Sequence, residues 1–363
     1  MNKRFEALDA FRGLCAIAVV IFHMHIVSSI SELDFFRGSS IFVEFFFVLS
    51  GFVLAHGYGF KISLGFKDFI KSRFFRLYPL HLFMFVVFVI LEFLKLCAYK
   101  YFGITFNSAP FSESTAVSEM IPNLLLMQAW LPFTNSMSFN YTSWSISIEF
   151  YLYIILFISI MLFKSNRIIS WLLISILSLS LFFLDLNILT DKAQSGLFCF
   201  FGGAFVYSIY RKISHCSLPY ILGSVIEFFL LILIVLVVES NFELRDILAP
   251  IVFFFVILFF AFEFGFFSSI LKFKFLQYIG KLSYSIYMTH AALIFCLISF
   301  AIILQKLTGA EIAPMLEGER VLNFGNELLN NGVVIIVLFL VICISSFTYK
   351  YIEIPGQKLK NIL

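Results

Sequence analysis

Arg12 and His23 stand eleven residues apart inside an otherwise apolar run that begins Leu8-Asp9-Ala10-Phe11-Arg12-Gly13. On a helix that separation is three turns plus about 20°, which puts both on one face, roughly 16 Å apart along the axis. If the run spans a bilayer, Arg12 lies at the inner boundary and His23 near the centre. Asp9, one turn earlier, can pair with Arg12. An imidazole at that depth serves either as a helix–helix hydrogen-bonding group or as a proton-transfer group. His25 falls about 200° further round, so it is expected to face away from any cavity that His23 faces.

Four more clusters carry polar chemistry in apolar surroundings. Ser50-Gly51, with Glu44 before it, reads as a close helix–helix contact; no G-x-S-x-G surrounds the serine to make it a nucleophile elbow. Arg73 and Arg76 share a face at i, i+3 behind Lys67 and Lys71. They suit either lipid phosphates at an inner membrane surface or a clamp on a phosphorylated cofactor. Ser145 and Glu149 stand at i, i+4 beside Trp144, with the carboxylate some 10 Å deep. An ionisable group in a span costs about 2.5–3.5 kcal/mol and faces a cavity or a partner. Ser283, Tyr287 and His290 share a face further on. His23, Ser50, Glu149 and His290 thus reach similar depths from four helices, which implies one polar cavity.

The elements that must position them are membrane helices. The 363 residues are 61% hydrophobic and 13% charged, against about 25% charged in a soluble domain. With roughly 20 apolar residues per crossing, spans are expected near Phe11–Ile30, Ile41–Tyr58, Pro79–Phe102, Ser143–Phe163, Ile168–Leu184, Ser195–Tyr210, Leu218–Val238, Ile247–Phe267, Leu282–Leu304 and Gly332–Tyr349. The expected fold is therefore all-α: a single domain over residues 1–363, forming a polytopic bundle of about ten transmembrane helices. Met120–Trp130 is too short to cross and should lie at the interface or re-enter. With the amino terminus inside, seventeen Lys and Arg fall in cytoplasmic segments and seven in outer ones, Arg12 set aside. That is the sign the positive-inside rule requires, and it makes both termini cytoplasmic. The outer segments are acidic, Asp185, Glu311, Glu317, Glu319 and Glu327 among them. The Met-Asn-Lys-Arg start lacks an A-x-A-like cleavage site, so the first helix is expected to be retained. Six scattered cysteines show no metal-ligand spacing, and no metal or nucleic-acid partner is implied.

Together these motifs resemble the acyltransferase 3 family of bacterial membrane O-acyltransferases. The family's Arg-x10-His element matches Arg12 and His23, and its Phe-Phe-x-x-Ser-Gly-Phe element matches Phe46 to Phe52. Arg-x-x-Arg-x-x-Pro matches Arg73, Arg76 and Pro79; Trp-Ser-x-x-x-Glu matches Trp144, Ser145 and Glu149. Gly-x-x-Ser-Tyr-x-x-Tyr-x-x-His matches Gly280, Ser283, Tyr284, Tyr287 and His290, and Glu-x-Pro matches Glu353 and Pro355. Six loose elements in order, over nearly the whole chain, make a specific signature. Where many relatives read Glu-Glu-Gln after the tryptophan, this chain has Glu149-Phe150-Tyr151, so it has no second acid there.

The resemblance implies transfer of an acyl group, expected to be acetyl from acetyl-CoA, to a hydroxyl of a surface carbohydrate such as O-antigen or exopolysaccharide, at the bacterial inner membrane. Acyl-CoA would dock from the cytoplasm on Arg73, Arg76 and Arg12 as a co-substrate, with no bound cofactor. His23 would be the general base and Glu149 would orient it or hold the acceptor. Trp144 would stack on a sugar ring, with Ser145 and Ser50 alongside, and Tyr287 and His290 would donate to the oxyanion. The partners are then acyl-CoA, a carbohydrate or lipid-linked glycan, and membrane lipids. The competing reading is a transporter or flippase using the same polar residues as a proton relay. Oligomeric state is not legible in the sequence.

Overall fold

The computed structural model of the chain describes residues 3–61, 65–184, 189–316 and 319–362. Met1 and Asn2 of the leader reading, and the outer acids Asp185 and Glu317, lie outside them. Each expected span falls on a helix: Glu6–Phe22, Phe42–Leu54, Phe66–Phe102, Trp144–Phe163, Arg167–Phe183, Asp191–Ile213, Tyr220–Glu239, Arg245–Phe260, Lys274–Thr308 and Glu327–Thr348. Six stretches among the described residues are long and apolar enough to cross a bilayer: Ser39–Gly59, Phe66–Phe102, Tyr141–Phe182, Tyr220–Glu239, Lys274–Thr308 and Glu327–Leu359. The chain is a helical membrane protein. Side-chain caps start several helices: Thr190 accepts from the Ala193 amide and Asn326 from the Leu329 amide, each satisfying a donor that the helix cannot. Met120–Leu124 forms only a short helix.

The chain divides into two compact units, each gathered from three segments. Unit 1 comprises Met1–Cys15, Gly38–Phe74 and Ile148–Lys281; unit 2 comprises Ala16–Arg37, Phe75–Ser147 and Leu282–Leu363.

In unit 1 the Phe42–Leu54 helix lies directly on Asp191–Ile213. A Cβ on Gly51 would sit 1.8 Å from the Phe200 carbonyl oxygen, and one on Gly203 would sit 2.0 Å from that of Val48. The two backbones touch because neither glycine has a side chain, which is how small residues join membrane helices. This contact fixes where Ser50 points.

In unit 2 the first helix stops at Phe22, well short of Ile30, where the apolar run suggested it would end. Arg37 accounts for the stop. Its Nη2 donates to the carbonyls of Ile21 (3.3 Å), Phe22 (2.6 Å) and Met24 (3.1 Å), taking over acceptors that another helical turn would have satisfied. The strand-like segment beyond is then held by Leu322, whose amide donates to the His25 carbonyl at 2.8 Å and whose carbonyl accepts from Val27 at 2.9 Å. Because the helix has ended, the 200° separation of His23 and His25 no longer applies. Both histidines line one cavity, contrary to the expectation from helical spacing.

Further along unit 2, Tyr349–Glu353 widens into a π-turn, a local insertion that re-aims side chains and often marks functional segments. It turns Glu353, 1% exposed, inward. At the other end, Glu92 and Lys95 form a buried pair at 3.1 Å. Glu92 also accepts from the Phe111 amide at 2.9 Å and Lys95 donates to Ser108 at 3.0 Å. The pair thus ties the segment after Phe102 to the helix, each charge being satisfied as burial demands.

Candidate active site

Unit 2 brings His23, Tyr141, Ser145, Tyr287 and His290 together. The His23 ring stacks on His290, centroids 5.3 Å apart and planes 25° from parallel, and lies 4.8 Å from the Tyr141 ring. Tyr141 is placed by Asn140, whose side-chain amide donates to the Met288 carbonyl at 3.0 Å and whose oxygen accepts from Thr142. Ser145 donates to the Tyr287 hydroxyl at 3.0 Å. Trp144 begins the same helix, half-buried.

His290 is fully buried. Its Nδ1–H donates to the Ile286 carbonyl at 3.1 Å, so in the neutral ring Nε2 is an acceptor. That Nε2 has no hydrogen-bond partner among the described residues. Such an orphan in a protein interior calls for an explanation; a site that receives a hydroxyl or water proton supplies one. The geometry therefore offers a lone pair where the sequence suggested an oxyanion donor. Tyr141 better fits the donor role, since its hydroxyl makes no hydrogen bond among the described residues and its ring lies against both imidazoles.

Arg76 also belongs to unit 2. Its Nη1 donates to Glu353 at 2.7 Å, and the carboxylate accepts further from Ser285 at 2.9 Å and Gln357 at 3.2 Å. Its guanidinium is thereby committed to a protein carboxylate.

Unit 1 carries a second constellation. Glu149 accepts from Ser50 at 2.6 Å and, through a short hydrogen bond, from Tyr153. The guanidinium of Arg73 lies 6.0 Å from the Tyr153 ring centre and 5.3 Å from that of Tyr58, and donates to the Tyr58 hydroxyl at 3.2 Å. Among the described residues its partners are hydroxyls and rings, and it forms no ion pair. Arg12 pairs with Asp9 at 3.5 Å, as its spacing suggested, and donates to the Gly280 carbonyl at 3.3 Å.

Comparison with known proteins decides the family. The acyltransferase 3 family model, described as an acyltransferase domain, matches residues 5–350. The chain belongs to the acyltransferase 3 family. Among curated relatives it is similar to acyltransferase MdmB of Streptomyces mycarofaciens, 31% identical over 42% of this chain and 38% of that protein. It is also similar to protein 2 in the picA locus of Rhizobium radiobacter, 46% identical over 22% of this chain and 41% of that protein. The chain thus spans about two fifths of the length of these relatives. No solved structure matches.

Several candidate residues emerge only from the structure. Tyr141 precedes the Trp-Ser element and looks like an interfacial tyrosine until it is seen against His23. Tyr153 stands at i+4 from Glu149, a spacing that does signal contact on a helix. Glu353 was noted only as part of Glu-x-Pro, and its partner Arg76 is 277 positions away, beyond the reach of any local pattern.

Proposed function

We propose that this protein is a membrane O-acyltransferase that moves an acetyl group from acetyl-CoA to a hydroxyl of an envelope carbohydrate, such as O-antigen or exopolysaccharide. The observation that carries this reading is the His23–His290–Tyr141 cluster, two stacked imidazoles with an orphaned acceptor nitrogen, in a chain of the acyltransferase 3 family. The ten helices are read as ten crossings of the bacterial inner membrane, with both termini cytoplasmic by the loop-charge asymmetry.

Acetyl-CoA docks from the cytoplasm, its phosphates on Arg73 and Arg12. Arg76 supports the segment through Glu353. The acceptor hydroxyl gives its proton to His23 as its oxygen attacks the thioester carbonyl carbon. The C–S bond then breaks, and the CoA sulfur leaves with the proton from the imidazolium. Tyr141 donates to the oxygen that carries charge in between, with Tyr287 alongside. His290 holds a second acceptor next to His23. Glu149, set by Ser50 and Tyr153, and Trp144 contribute to acceptor or acyl-group positioning.

The test is acetyl-CoA turnover by purified protein, together with NMR of the host's surface polysaccharide with the gene intact, deleted, or carrying His23→Ala. Loss of an O-acetyl group in both altered strains, with normal membrane levels of the variant, supports the reading. Absence of thioester cleavage with every acceptor returns the transporter reading.

A further inference from the structure

The cavity beside His23 is lined by His23, His25, Arg320, Ile294, Leu297 and Leu322, with Met24, Ile26 and Ile298 completing it. No acid lines it. Arg320 is held in place on both sides. Its Nε donates to Asn107 Oδ1 at 2.7 Å and its Nη1 to the Ala313 carbonyl at 2.6 Å. Two residues on, Leu322 is bridged to the His25–Val27 segment, which fixes the backbone that carries the arginine beside the histidines. Both of its partners are neutral, and it makes no ion pair among the described residues. A second positive group stands behind the cavity: Arg37 Nη1 donates to His25 Nδ1 at 3.1 Å. The same Nη1 lies 3.5 Å from His25 Nε2, so the guanidinium faces both nitrogens of the ring.

A preorganised guanidinium with no ion pair among the described residues, a second guanidinium behind it and an apolar wall together recognise an anion attached to a less polar body. The cavity volume, about 10 Å³, is room for roughly one water. The enclosed space therefore takes a single small group such as a hydroxyl, and an anionic group on the same molecule meets Arg320 from its exposed side. We infer that the acceptor carries an anionic group, a carboxylate or a phosphate, close to the hydroxyl that is acylated, and that Arg320 binds that group while the hydroxyl meets His23. This inference rests on the acyltransferase reading for the meaning of the word acceptor; the binding site itself does not.

Protein in lipid nanodiscs is titrated with methyl β-D-glucuronide, glucose 6-phosphate and methyl β-D-glucoside, in parallel with the variants Arg320→Gln, Arg320→Lys and Asn107→Ala. The expected result is binding of at least one anionic probe about tenfold tighter than the glucoside, as one charge-assisted contact provides. The anionic probe that wins distinguishes a carboxylate from a phosphate. The preference disappears in Arg320→Gln, is largely kept in Arg320→Lys and weakens in Asn107→Ala, with thermal melting unchanged. Equal binding of all three probes, no measurable binding, or a preference that survives Arg320→Gln overturns the site. CoA release is measured separately: anion preference without thioester cleavage fails the acyltransferase reading alone, and cleavage without the preference fails the site alone.

Discussion

His23 and His290 lie ring on ring, centroids 5.3 Å apart and planes 25° from parallel. Two imidazoles so placed cannot both carry a proton at low cost, since like charges at that distance repel strongly in a weakly polarisable interior. The pair therefore has one proton to accept between them. His23→Ala should lower transfer by about a hundredfold to ten-thousandfold, the range expected for loss of a general base. His290→Ala should cost less. The double variant should fall no further than His23→Ala alone, because groups acting as a unit are not additive. Steady-state kinetics of all three checks this; a double variant showing the product of the two single losses would mean that the histidines act independently.

Arg73 and Arg76 look equivalent in sequence, three residues apart on one face, yet they differ in what surrounds them. Arg76 is matched to Glu353, which is 1% exposed, whereas Arg73 rests on tyrosines. Arg73→Ala should raise the KM for acetyl-CoA by about tenfold to a hundredfold, as expected for a lost hydrogen bond to a charged group, with little change in melting. Arg76→Ala should instead destabilise the protein by about 1–3 kcal/mol, less than for a fully buried pair because Ser285 and Gln357 still serve the carboxylate. Pairing it with Glu353→Gln removes the stranded charge and should restore much of that loss. Melting in detergent and acetyl-CoA kinetics on the same four preparations separate the two arginines. A raised KM with unaltered melting in Arg76→Ala would return it to the phosphate clamp.

Much of this was legible in the chain. Apolar length located the ten long helices but not the short ones such as Asp34–Arg37 and Phe266–Leu271, and the six polar elements include His23, Ser145, Tyr287, His290, Ser50, Glu149 and Arg73 of the two clusters but not Tyr141 or Tyr153. Local spacing failed where a distant side chain decides the backbone. Nothing in Phe11–Ile30 announces a stop at Phe22; the signal is Arg37, fourteen residues past His23, whose guanidinium caps the helix end. Helical spacing carried past that stop puts His25 on the wrong side. The same limit hid the roles of Glu353 and Arg320, since each acts through a partner far away in sequence. The tautomer of His290 depends on a backbone carbonyl one turn back, which only coordinates reveal.

The contact between Gly51 and Phe200 should tolerate nothing larger than hydrogen. Even alanine places a Cβ at 1.8 Å from a backbone oxygen, so the two helices must move apart. Gly51→Ala is expected to cost about 1–3 kcal/mol, the usual cost of overpacking, and Gly51→Leu to leave little folded protein in the membrane. Melting of detergent-solubilised protein and its amount in membranes provide the measurement. Wild-type behaviour of Gly51→Leu would show that the close approach is not needed for folding.

Glu149 separates charge from shape. Its Oε1 receives both Ser50 and Tyr153, and a glutamine in its place keeps a carbonyl oxygen that accepts from the same two hydroxyls. Glu149→Gln should therefore fold and melt like the parent, while transfer falls about tenfold or more if the negative charge matters to the reaction, each lost charge-assisted contact being worth about 1.5–3 kcal/mol. Ser50→Ala should cost less, because Tyr153 continues to hold the carboxylate. Tyr153→Phe, which keeps the ring over which Arg73 sits and removes only the hydroxyl, should resemble Ser50→Ala in its effect on kcat and leave the KM for acetyl-CoA unchanged. The informative comparison is kcat of Glu149→Gln against its melting temperature. A large fall in both would make Glu149 a structural partner for its two hydroxyls, whereas a fall in kcat alone places its charge in the chemistry.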